Sequence, residues 1–185
     1  MNRTGLLLLF LFLFFFGGPL WIATLAVGTS DWRRIPLTDQ NEQPIRFADF
    51  AGSFTLVNFI YTRCPMPEMC PLTVTLSLGV LKKFPHLRVL SLTLDPEFDT
   101  PARLKKFAQS YRAEKIKNFT LATGNPSSIA AFASEFNVVA FPRDRELSHN
   151  VKSILFSPAQ QPLKTFRDNE WTADDVERAI KSSRN

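Results

Sequence analysis

Thr55–Pro71 reads T-L-V-N-F-I-Y-T-R-C-P-M-P-E-M-C-P, and the fold turns on how this stretch is read. Thr55–Tyr61 is an apolar, β-branched and aromatic run of the length of a buried strand. It breaks at Arg63, and Cys64 and Cys70 follow, the two cysteines of the chain. Pro65, Pro67 and Pro71 fence them. A strand that delivers two thiols onto a proline-stiffened loop ahead of a helix makes a redox-active or copper-binding site. Thiolates are soft ligands suited to Cu(I). A structural staple is the alternative use of the pair. A bridge across so short a loop stabilises little, because the gain from loop closure grows with loop length.

Downstream, Leu72, Leu76, Val80 and Leu81 recur at helical spacing, with Lys82 and Lys83 at the end and Pro85 beyond it. Leu87–Leu94 reads as a second buried strand. Strand, helix and strand within about forty residues make a βαβ crossover with a parallel pair. Asp99 or Thr100 then caps a helix that opens at Pro101 and runs to about Arg112. Phe119–Ala122 reads as a strand, Ser127 or Ser128 as the cap of a helix over Ile129–Phe136, and Val138–Phe141 as strand-like. Residues 142–148 read as a polar loop. His149 precedes a strand over Val151–Phe156, which turns at Pro158–Gln161 into Leu163–Phe166. Thr172–Asp175 opens a final helix. The order is that of an α/β sheet with a parallel core and an antiparallel edge.

Upstream, Met1–Arg3 is a short positive start, and Gly5–Val27 is almost entirely apolar. At about 23 residues it is long enough to span a bilayer as a helix. Trp21 and Trp32 lie near its outer end, where interfacial aromatics belong. Ala26-Val27-Gly28 could serve as a cleavage site, and an uncleaved anchor is the favoured reading. Residues 1–30 are thus an anchor or signal, 31–42 a linker that passes into a short hairpin (Ile35–Asp39 with Pro44–Phe47), and 43–185 the domain. In the whole chain of 185 residues the formal charge is +5. That mild basic bias suits an anionic membrane surface. No run of Lys and Arg interleaved with aromatics points to nucleic acid.

A strand ending in a two-cysteine loop at a helix start, followed by βα units and a closing hairpin, resembles the thioredoxin fold. Phe59–Pro71, with F-I-Y-T-R-C-P and a second C-P, resembles the cysteine signature of the Sco/SenC family. Leu92–Ala108, L-T-L-D-P-E-F-D-T-P-A-R-L-K-K-F-A, resembles its second signature, and Ser148-His149-Asn150 stands where its histidine falls. The resemblance covers about Gln43 to Ile180. It implies a membrane-anchored thioredoxin-like domain binding one copper ion, as Cu(I) or Cu(II), through Cys64, Cys70 and His149. It implies a role in assembling the binuclear copper centre of cytochrome c oxidase, by delivering copper or by reducing ligand cysteines. The partners implied are the copper subunit of that oxidase or another copper chaperone. The short N-terminus favours a bacterial inner membrane, crossed once, with the domain facing the periplasm.

Asp95 and Arg63 are expected to support the site, Arg63 by favouring thiolate; a turn or capping role is the other reading of Asp95. Asp99 reads as a helix cap, His86 as a solvated turn residue, and Met66 and Met69 as packing residues with a direct copper role as alternative.

The chain departs from the family pattern twice. The family usually leaves three residues between its cysteines; here there are five, Pro65 to Met69. On a regular helix six positions span about 9 Å, beyond the roughly 4.4–6.8 Å that a disulfide allows between Cα atoms, so the loop has to curl back. Ser148 stands where an acidic residue is expected. The competing reading is an enzyme, a membrane-anchored thiol-disulfide oxidoreductase or peroxidase-like protein with little physiological copper binding. A third is a structural domain with a stiffened loop.

Overall fold

A computed structural model describes residues 31–143 and 146–184. The elements in chain order are β1 (Leu37–Asp39), β2 (Pro44–Ile45), β3 (Thr55–Ile60), α1 (Cys70–Lys83), β4 (Arg88–Thr93), α2 (Pro101–Ser110), β5 (Phe119–Thr123), α3 (Pro126–Glu135), β6 (Ala140–Arg143), β7 (Glu146–His149), β8 (Lys152–Phe156), β9 (Pro162–Arg167) and α4 (Ala173–Ser182). Seven strands form one mixed sheet in the order β2-β1-β5-β4-β3-β8-β9, and β6 and β7 form a separate ribbon.

β3 lies near the middle of the sheet, parallel to β4 and antiparallel to β8. All six of its residues are buried, as expected of a strand covered on both faces. Its alternate side chains feed two cores. Leu56 and Ile60 pack with Val74 and Val80 of α1, Leu104 of α2 and Val176 of α4. Val57 and Phe59 pack on the other face with Ile129 and Phe132 of α3 and with Phe47 and Phe156. Between β3 and α1, Asn58 Nδ2 donates to Ser77 Oγ at 2.8 Å, a buried polar tie that sets how α1 sits on the strand. The parallel core, the flanking helices and the antiparallel β8–β9 edge are those expected, and the thioredoxin-like α/β fold stands.

Four expectations change. The stretch assigned to a linker is part of the domain: Leu37–Asp39 pairs with β5, and Trp32 packs 5.0 Å from the Phe47 ring and edge-on to Phe132. Ile35 and Leu37 of this stretch are buried, and burying such side chains is worth about 1.5–3 kcal/mol each, which draws the segment onto the sheet. The polar loop assigned to 142–148 is largely the β6–β7 ribbon, with Ala140 opposite His149 and Phe141 opposite Ser148. It lacks apolar alternation because it covers no large core. The α3 cap is Asn125, whose side-chain Oδ1 accepts from the Ser127 N–H at 2.9 Å, with Pro126 at the first helical position. Asp99 does not cap α2; Thr100 does. No helix among the described residues is long and apolar enough to cross a membrane. The expected anchor falls in residues 1–30, outside the described residues.

Candidate functional site

The site gathers three chain segments at the end of β3. Cys64 lies in the loop after β3 and is partly exposed; Cys70 is the first residue of α1 and is buried; both are free thiols. Pro65 and Pro67 keep the intervening residues out of a helix. Cys64 and Cys70 are thus not two positions of one helix, and the two thiols lie near enough to shift each other's acidity.

The two sulfurs are driven to opposite acidities. Cys64 is pulled down to about 5, chiefly by a hydrogen bond from Cys70, then by the Cys70 and Met66 backbones and the Tyr61 phenol, while its partial burial opposes. Cys70 is pushed up, because its proton is the one shared with Cys64 and because it is buried. The N-terminal turn of α1 adds to the field that favours an anion here. Arg63 is engaged by its neighbours. Its Nε is 2.6 Å from Asp95 Oδ2 and its guanidinium lies 4.5 Å from the centre of the Phe98 ring, so Asp95 and Phe98 fix where its charge sits.

His149, the last residue of β7 and just ahead of β8 as expected, is 8 % exposed, and its Nε2 is 3.5 Å from Cys70 Sγ. Its Nδ1 is 3.1 Å from the Asn150 carbonyl, a contact only an N–H can make. The proton therefore sits on Nδ1, and Nε2 presents a lone pair to the sulfur. Burial lowers the imidazole's basicity. Asn150 anchors this corner: Nδ2 donates to the Asn137 carbonyl at 3.0 Å, and Oδ1 accepts from the Val139 N–H at 2.9 Å. The Tyr61 ring lies edge-on to the His149 ring, with centroids 5.7 Å apart.

Asp99 holds the Cys64 side. Its buried carboxylate accepts from the Thr62 N–H at 3.0 Å, from the Thr62 hydroxyl, and from Thr93 Oγ1 at 2.5 Å. It ties the end of β3 to the end of β4, two residues before Cys64. Burial raises its carboxyl pKa, against these hydrogen bonds. Asp95 lines a groove of about 640 Å³ together with Arg63, Glu97, Val139 and Leu147. Met66 is exposed and His86 is a solvated turn residue. The Met66 carbonyl lies 3.8 Å from Cys64 Sγ.

Cys64, Cys70 and His149 are thus brought to one corner, with Arg63 and Asp95 beside it. Sequence reasoning left out Tyr61, although it stands inside the quoted stretch, and misassigned Asp99. It also left out the anchoring role of Asn150, for which the linear sequence carries no signal. About a tetrahedral metal, a sulfur bonded at about 2.3 Å and a nitrogen at about 2.0–2.1 Å lie roughly 3.5 Å apart, so Cys70 and His149 already stand at ligand separation. Among the described residues no three His, Cys, Asp or Glu side chains form a ready metal-binding group; the three-ligand set is not preassembled.

Comparison with known proteins addresses the family and the fold. The SCO1 protein homolog of Bacillus subtilis is 30% identical over 159 residues, which cover 80% of this chain and 81% of that protein. The solved structure of BsSco, described as carrying a disulfide switch and as a member of the Sco family of cytochrome c oxidase assembly proteins, is 30% identical. It superposes with a TM-score of 0.67 over 80% of this chain and 90% of that one. ScoI of Bradyrhizobium japonicum, solved with copper bound, is 25% identical with a TM-score of 0.66 over 80% of this chain and 95% of that one. Another relative is matched over only 63% of its length. The SCO1/SenC family model matches residues 33–184, which take in the cysteine loop, the Asp95–Asp99 turn and the His149 ribbon, and the chain belongs to the SCO1/SenC family.

Proposed function

We propose that this protein is a copper-binding, thiol-redox assembly factor that delivers copper to, or reduces the ligand cysteines of, the binuclear copper centre of cytochrome c oxidase. It would act on the oxidase copper subunit or on another copper chaperone. It would be held at a bacterial inner membrane by residues 1–30, with the domain facing the periplasm. The observation that carries this reading is the 3.5 Å approach of Cys70 Sγ to a lone-pair-bearing His149 Nε2, with Cys64 beside them. Two thiolates and an imidazole are a donor set that fits copper. Cys64, Cys70 and His149 would hold the ion, and the ion would supply the cargo for exchange with a partner's soft ligands.

The redox output follows from the same side chains. The Cys64 thiolate attacks a partner disulfide, forming a mixed disulfide and releasing one partner thiolate. Cys70, its proton passing to His149 Nε2, then attacks Cys64 Sγ. The second partner thiolate leaves, and the partner has gained the two electrons that the Cys64 and Cys70 sulfurs give up as their disulfide forms. The protons of Cys70 and solvent end on the partner's thiols. The opposed acidities of Cys64 and Cys70 favour this thiol-disulfide reading as the principal alternative, with little physiological copper binding.

The separating experiment is a Cu(I) titration of the reduced chain against a competing chelator, with Cys64→Ser and His149→Ala alongside. The copper reading expects one tight equivalent in the wild type and weak binding in both variants. Equal, poor binding by all three, with reduction of a partner disulfide intact in the wild type, leaves the thiol-disulfide reading instead.

A further inference from the structure

Cys70 is fixed from a part of the chain that neither the copper nor the thiol chemistry involves directly. Asn169 sits in the short connection between β9 and α4. Asp168, just before it, takes a left-handed conformation at φ 57°, which Asp tolerates better than most residues. Its N–H is held by the Val151 carbonyl at 3.1 Å. Just after it, Trp171 is buried against Phe166 with ring centroids 5.4 Å apart. The connection is therefore rigid on both sides of Asn169.

From that base the Asn169 side chain reaches across to the cysteine loop. Nδ2 donates to the Glu68 carbonyl at 2.9 Å and to the Met69 carbonyl at 2.9 Å. Oδ1 lies 3.0 Å from Thr73 Oγ1 on the first turn of α1, and Thr73 is itself buried. Two carbonyls on one side and a hydroxyl on the other set which end of the amide is which. Glu68 and Met69 are the last two residues of the five between the cysteines. Met69 caps α1 without a capping side chain of its own, so the ordinary local device for fixing this turn is lacking.

We propose that Asn169 is a positioning residue of the dithiol site, clamping the Glu68–Met69 end of the loop to α1 so that Cys70 stays within reach of Cys64 despite five intervening residues. The inference rests on the reading of Cys64 and Cys70 as a working pair. A longer loop gives the second thiol more positions to occupy and lowers its effective concentration at the first. The clamp restores it from outside the loop. Asn169→Asp is the sharper variant: it keeps the size and the acceptor facing Thr73 but sets a carboxylate oxygen against two carbonyls. Asn169→Ala removes the contacts without repulsion.

The test is the equilibrium between dithiol and intramolecular disulfide in glutathione buffers, measured on the full chain. Urea unfolding of each protein accompanies it, and Gln160→Ala is the control. Gln160 makes a comparable side-chain bond to a backbone carbonyl, that of Phe47, in the core on the other face of the sheet. Both Asn169 variants are expected to weaken the disulfide about tenfold, a rise of about 30 mV in a two-electron potential, while Gln160→Ala leaves it unchanged. Loss of stability in the Asn169 variants with an unchanged equilibrium overturns the clamp. So does an equal shift in Gln160→Ala. A wild-type chain that forms no intramolecular disulfide overturns the pairing of the cysteines itself, and the clamp with it.

Discussion

Cys70 Sγ stands 3.5 Å from His149 Nε2, although 79 positions separate the two residues in the chain. The contact joins the start of α1 to the end of the β6–β7 ribbon, and each partner is held by a separate anchor. Asn169 ties the backbone before Cys70, and Asn150 ties the chain around His149. A site built this way couples one sulfur to a base while leaving the other sulfur, Cys64, open to a partner.

The first expectation concerns the two thiols. With Cys64 pulled down to about 5, it is largely thiolate at neutral pH, whereas a free thiol ionises near 8.5. Iodoacetamide should label Cys64 of the native reduced protein at a rate that is nearly flat from pH 6.5 to 8 and halves near pH 5. Cys70, buried and pushed up, should stay unlabelled until the protein is unfolded. Mapping the alkylated peptides checks both. Rapid native labelling of Cys70 would contradict the assignment.

Tyr61 should act on Cys64 from the side. Burial, with Cys64 beside it, raises the phenol's pKa, so it stays protonated and able to donate to that sulfur. Tyr61→Phe removes the donor and leaves the ring against His149. The labelling midpoint of Cys64 should rise by about one pH unit, the size of roughly 1.4 kcal/mol of lost interaction. A midpoint unchanged within about 0.2 units, of order 0.3 kcal/mol on that scale, would show that the Cys70 and backbone hydrogen bonds suffice.

His149 makes stability depend on pH with a definite sign. Burial lowers its pKa, so below about 6.5 the unfolded chain binds a proton that the folded chain refuses. The contribution is fully present above that value and is lost as pH falls through the folded pKa. Cys64 acts in the same direction down to about 5, so the comparison has to be with His149→Gln. Urea midpoints of the two proteins should converge as pH drops from 7 to 5. Parallel curves would mean that His149 is not held neutral.

Asp99 is expected to be structural, and costly to replace. Its carboxylate collects the Thr62 N–H, the Thr62 hydroxyl and the Thr93 hydroxyl. Asp99→Asn replaces an acceptor with a donor in front of those donors and should cost about 1–3 kcal/mol in urea unfolding. Because Thr62 stands two residues before Cys64, the same variant should also slow native labelling of Cys64. Full stability in Asp99→Asn would place this carboxylate outside the framework.

By itself the sequence determined the strands and helices that carry strong periodicity. Thr55–Tyr61, Leu72–Lys83 and Leu87–Leu94 declare their type by apolar pattern and length, and their order implies a parallel core. It also determined the chemistry on offer, since two cysteines on a proline-rich loop ahead of a helix are readable locally. Resemblance to a family supplied His149, which no spacing rule would have singled out. What only the tertiary structure decided lies in contacts between distant segments. The β6–β7 ribbon has no apolar alternation to announce it, because it buries little. Trp32 and Leu37 belong to the domain through packing on residues far along the chain. Asp99 resembles a cap until Thr62 and Thr93 converge on it. Asn169 is an ordinary polar residue in a short loop, and its role depends on a left-handed turn and a buried Trp171 that aim it at the cysteine loop. Local pattern is written in neighbouring residues; the anchoring of Cys70 and His149 is written in hydrogen bonds that form only once the sheet has brought their ends together.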